Sequence, residues 1–193
     1  MDRRGRIKEH TAMRLAIAAS ILLATTLQSP AQQTRDRPSS SEQSQSQRIS
    51  TQDFVKQAWI IDNFEIQAGR AVQSQAKDAA YKDFAGMIVD DHTRLNDELK
   101  NVAGRLQGVE LPTKLDREHE QKLQQLTSAR DRNIEDTFRT QQIQGHERAL
   151  KLFQNFAAKT ENADLKRLAE NAVPILQRHL TQAQELKKTS GVM

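Results

Sequence analysis

From Phe54 to Leu186 apolar residues return every three or four positions, the spacing that puts them on one side of an α-helix. That periodicity restricts the chain to helical solutions, and the composition agrees: 7 glycines, 4 prolines and 4% aromatics are too few for the turns and aromatic strands of a sandwich or barrel. A helix is expected over 51–75, opened by Ser50 as N-cap and carrying Phe54, Ala58, Ile61, Ala68 and Val72 on one face. A second, over 78–107, carries Phe84, Ile88, Leu95, Leu99, Val102 and Leu106 and stops at Gly108. A short amphipathic helix over 113–128 precedes two more long ones over 131–159 and 163–188. The short link between the first two helices makes them an antiparallel hairpin, and the long link before the fourth favours an all-α, ferritin-like four-helix bundle with a short extra helix in that link over a simple up-down bundle.

The rest of the chain reads differently. Arg3, Arg4, Arg6, Lys8 and Arg14 precede an uncharged run from Leu15 to Leu27, which at ~20 Å as a helix is too short for a ~30 Å hydrocarbon core. With Ser29-Pro30-Ala31 behind it, residues 1–31 are expected to be a signal peptide cleaved after Ala31. Residues 32–50 hold six Ser and five Gln against one aliphatic residue, Ile49, and are expected to be a disordered linker. The bundle then spans 51–188, with 189–193 as a tail. The net charge of +4 belongs mostly to the leader, since the chain from Thr51 has 21 basic and 21 acidic residues. No nucleic-acid partner is therefore expected, nor a transmembrane span in the mature protein. The absence of cysteine excludes a disulfide scaffold, a thiolate metal site and an acylated lipoprotein anchor.

Ionisable residues interrupt the apolar stripes. Glu65 falls in the middle of the first helix's stripe, His92 between Ile88 and Leu95, His146 among Ile143, Leu150 and Phe153, and His179 between Leu176 and Ala183. All four lie near mid-helix, so in a bundle they meet in one layer. An uncompensated buried charge costs several kcal/mol, so the layer must form a hydrogen-bonded network, hold water or bind a cation. Imidazole and carboxylate are ligands for iron, manganese, zinc and copper, and bundle cores are where such sites are built. Asp91, beside His92, is a possible acceptor to orient an imidazole; Asp90 points away. His119 is expected to pack on the short helix's apolar face, Pro174 to kink the last helix, and Gly69, Gly86 and Gly145 to mark close helix contacts or room for a ligand.

Phe54, Glu65 with Gly69, Met87-Ile88-Val89-Asp90-Asp91-His92, Leu111-Pro112, His146, and Pro174 with His179 together resemble a family of exported bacterial ferritin-like proteins, often labelled outer-membrane or membrane proteins. The resemblance covers about Asp53 to Leu186 and implies a ferritin-like bundle without assigning an activity. True di-iron ferritins carry Glu-x-x-His, whereas Val89 and Leu176 stand three residues before His92 and His179. A single ion held by Glu65, His92, His146 and His179 is thus the better metal hypothesis. Two functions stay open: a non-enzymatic periplasmic or envelope protein, stress-related, with a buried Glu/His layer and an envelope partner, or a protein binding one Fe, Mn, Zn or Cu ion for redox chemistry or storage.

Overall fold

The structure is a computed structural model that describes residues 49–129 and 133–187. The expected signal peptide, nearly all of the linker and the C-terminal tail lie outside the described residues. The described chain forms five helices: α1 (Thr51–Gln75), α2 (Ala79–Ala103), α3 (Arg117–Ser128), α4 (Asn133–Lys159) and α5 (Ala163–Glu185). Among the described residues there is no strand, and no helix is long and apolar enough to cross a membrane.

The helix starts follow local chemistry. Ser50 Oγ accepts from Asp53 N at 3.0 Å, Asp116 Oδ1 from His119 N at 2.9 Å, and Asn162 Oδ1 from Leu165 N at 3.0 Å, each satisfying an otherwise free amide of the first turn. Asp78 caps α2 in the same way, and buried Glu135 on α4 reaches across to accept from Lys77 N and Asp78 N at 2.7 and 2.8 Å. The turn between α1 and α2 is therefore tied to the start of α4. The expected second helix runs four residues too far, because α2 ends at Ala103 and Gly104 caps it; Gly108, at φ 70°, turns the chain afterwards. Helix α5 continues through Pro174.

Cross-helix partners define the topology. Asp62 meets His92 while Gly69 lies against Ala85 and Val89, so α1 and α2 are antiparallel; Arg139 reaches Leu186 O while His146 meets His179, so α4 and α5 are antiparallel too. The apolar core falls into two clusters. Phe54, Leu99, Phe153 and Leu165 belong to one, and Val72, Tyr81, Phe84, Phe138 and Ala183 to the other. Helices α2 and α4 both run from the second cluster to the first, and α1 and α5 run back. Two hairpins are thus joined by one crossover between α2 and α4, whose helix α3 packs on α1 and α4. Between the clusters, at mid-height, lies a buried polar layer of Asp62, Glu65, Asp91, His92, Asn96, Gln142, His146 and His179.

Candidate metal centre

Three of the four expected residues converge. His92 on α2, His146 on α4 and His179 on α5 each offer a ring nitrogen, and these nitrogens lie within 4.8 Å of one another. The rings sit with centroids 5.2–5.6 Å apart, and all three side chains are buried, at 0–1% exposure. Such proximity needs both hairpins in register, and it places the trio on the face where α2, α4 and α5 meet.

Each imidazole has its outer nitrogen fixed by an oxygen. His146 Nδ1 lies 2.9 Å from the carbonyl of Gln142, which can only accept, so Nδ1 carries the hydrogen. His179 Nε2 lies 2.8 Å from Asp91 Oδ2, and that carboxylate also accepts from the Arg178 and Arg94 guanidinium groups. Asp91 is thereby held as an acceptor and His179 donates through Nε2. His92 Nδ1 faces Asp62 Oδ1 at 2.9 Å, with Asp62 2% exposed. Burial pushes the Asp62 carboxyl above the usual carboxylate range, with the His92 hydrogen bond working against that rise.

The assignments for His146 and His179 leave a lone pair on the inner nitrogen of each. His146 Nε2 and His179 Nδ1 face each other at 3.2 Å, a hydrogen-bond distance with no hydrogen left to share, and His92 Nε2 is a buried atom without a partner. Burial holds His146 well below the ordinary imidazole range and brings His179 down to about 2. An extra proton is thus an unfavourable way to relieve the contact. What the two lone pairs can accept is a hydrogen-bond donor such as water, or a cation. Two ligands about 2.0–2.1 Å from a common ion at a tetrahedral angle stand roughly 3.3 Å apart, close to the observed 3.2 Å.

Glu65 occupies the same layer but lies outside this cluster. The register of the hairpin explains it: His92 is level with Asp62, and Glu65, three residues further along α1, meets the amide of Gln142, one turn before His146 on α4. Burial holds its carboxyl above the ordinary range. Asp91 does orient an imidazole, that of His179, and Asp90 is exposed. Sequence reasoning missed Asp62 and Gln142. The first sits about 60° from Glu65 around α1, a signal that the one-residue-per-helix reading passed over; the second is uncharged, and its contribution to His146 is a main-chain carbonyl that no side-chain pattern reveals. His119 packs edge-on to Phe64 at 5.3 Å and bonds Asp116 at 2.7 Å.

The fold and the trio define a class: a four-helix bundle with one long crossover and a mid-height histidine cluster. The chain belongs to the family described as Domain of unknown function (DUF4142), which matches residues 33–186. No curated protein matches it. Among solved structures, one described as CopM in the Cu(II)-bound form is similar at 19% identity and a TM-score of 0.62, over 72% of this chain and 95% of that one. A DUF305 fragment from Deinococcus radiodurans is similar at 14% identity and the same TM-score of 0.62, over 72% of this chain and 96% of that one. Both likenesses concern the helical fold.

Proposed function

We propose that this protein binds a single copper ion through His92 Nε2, His146 Nε2 and His179 Nδ1, and holds or buffers it without transforming a substrate. The observation that carries this reading is the 3.2 Å approach of two imidazole lone pairs, next to a third buried nitrogen without a partner. A self-sufficient hydrogen-bonded network would have placed a hydrogen in that gap. The donor set selects among the expected iron, manganese, zinc and copper. Carboxylate oxygens, which manganese prefers, are outside the trio, whereas imidazole suits copper and zinc, and copper stands above zinc in the general affinity order. A protein of the same fold, the CopM structure, is recorded in a Cu(II)-bound form. The crossover bundle also supports the ferritin-like class, with the Glu-x-x-His pairs of a di-iron centre replaced by separate histidines.

The four-residue set of the sequence narrows here to three ligands, with Asp62, Asp91 and the Gln142 carbonyl fixing the rings from behind. The basic leader, the Leu15–Leu27 run and Ser29-Pro30-Ala31 support export with cleavage after Ala31, and with it a periplasmic or envelope location for the bundle behind a Ser/Gln-rich linker. The test is metal analysis of protein purified without a His tag, followed by Cu²⁺ and Zn²⁺ titration of the wild type and His146→Ala. One tightly held copper per chain, preferred over zinc and lost in His146→Ala, is expected. Binding no tighter than to a surface-histidine control, or normal binding by His146→Ala, overturns the proposal.

A further inference from the structure

The trio is sealed from solvent, so an ion reaching it must cross the helix packing. A cavity of about 320 Å³ between α1, α3 and α4 reaches the trio at His146. Asp116 and His119 stand on its wall at the solvent side, with side chains 45% and 20% exposed, and Glu65, 2% exposed, lies at its inner end.

The wall is furnished with bases. Gln141 is nine-tenths buried, and its Nε2 donates to Lys122 O at 3.1 Å, which leaves Oε1 as a buried carbonyl oxygen without a partner. The basic side chains on the wall are partnered there: Lys122 is paired with Glu118, which also lines the cavity, and Arg148 lies in the field of the same carboxylate. Opposite Glu65 stands Gly145, where a Cβ alone would come within 3.5 Å of Glu65 Oε1, so a larger side chain there would fill the inner end. The carboxylates of Asp116 and Glu65 and the imidazoles of His119 and His146 along one passage suit a metal cation better than an anion or an apolar molecule.

We propose that the metal ion enters through this cavity and that Glu65 is a transient ligand on the way, receiving the ion from the Asp116–His119 pair at the mouth and passing it to His146. This rests on the tri-histidine copper reading above. Glu65 then acts on the rate of loading and release and leaves the final affinity to the imidazoles.

The experiment is stopped-flow mixing of Cu²⁺ with metal-free protein, followed by quenching of Trp59, the single tryptophan, with release driven by excess chelator. Wild type is compared with Glu65→Gln, which keeps the shape, and Gly145→Leu, which fills the passage; equilibrium affinity is measured by chelator competition. Both loading and release should slow by about tenfold, roughly one decade of barrier, while the dissociation constant stays within about threefold. Unchanged rates in Glu65→Gln with copper still bound at the trio overturn the route. Faster release with weaker affinity overturns it as well, since Glu65 would then be a resident ligand. If wild type binds no copper, or His146→Ala binds it normally, the tri-histidine reading falls and takes the route with it.

Discussion

Asp62→Asn should separate metal affinity from metal-free stability. The carboxylate is 2% exposed and meets His92 Nδ1 at 2.9 Å. Without metal, the substitution exchanges a charge-assisted hydrogen bond worth roughly 1.5–3 kcal/mol for relief of a desolvation penalty of several kcal/mol. The two nearly cancel, and the metal-free protein should melt within about 5 °C of wild type, or above it. With copper the balance changes, because an anionic acceptor behind an imidazole holds its orientation and raises its basicity. Loss of such a partner typically costs 10–100-fold in metal affinity, about 1.4–2.7 kcal/mol. The assay is a pair of calorimetric melts, with and without one equivalent of copper, plus chelator competition. A metal-free melting temperature lowered by more than about 10 °C with unchanged copper affinity would refute the reasoning, since Asp62 would then serve the packing and not the site.

Gly69→Ala should destabilise by about 1–3 kcal/mol despite its better helix propensity, because the new Cβ would stand 2.7 Å from Val89 Cγ2 and 3.0 Å from the carbonyl of Ala85. Gly86→Ala meets only the flexible end of Gln73 at 3.0 Å and should raise the melting temperature; equal effects of the two in thermal melts would contradict this account of the α1–α2 contact. His146 and His179 stay neutral when folded, His179 down to about 2, whereas an unfolded imidazole takes its proton near 6.5. Metal-free stability should therefore fall as pH drops below about 6.5, by up to roughly 1.4 kcal/mol per unit for each imidazole. Asp62 and Glu65, held above the usual range, act oppositely at lower pH, because they gain protons in the folded protein first. Urea midpoints between about pH 7 and 5 should thus slope less in His179→Leu than in wild type, and identical slopes would contradict the depressed imidazole. Mass spectrometry of the protein from its native host should find Gln32 as the first residue; an intact leader in the membrane fraction would contradict cleavage after Ala31.

The long helices were legible because packing repeats with the helical period: the first is expected at 51–75 and found at Thr51–Gln75. Boundaries set by turn geometry were less so. The drift from Ala103 to 107 arises where Val102 and Leu106 both pack inward although the backbone has already left the helix at Gly104. The inward histidines could be placed because an imidazole breaks an apolar stripe, and Asp91 because it adjoins His92. What separates Glu65 from the trio is a shift between neighbouring helices: a three-residue difference along α1 decides whether Asp62 or Glu65 stands level with His92, and nothing within a single helix encodes it. The same holds for the carbonyl of Gln142, whose role depends on the ring of His146 folding back along α4.

The central claim is that one metal ion is held by three imidazoles at mid-bundle. X-ray absorption at the copper edge, on untagged protein loaded with one equivalent, tests it most directly. Three nitrogen scatterers at about 2.0 Å with the outer-shell signature of imidazole are expected, and one fewer in each of His92→Ala, His146→Ala and His179→Ala. A shell made chiefly of oxygen or sulfur, or a spectrum that His146→Ala leaves unchanged, would contradict it.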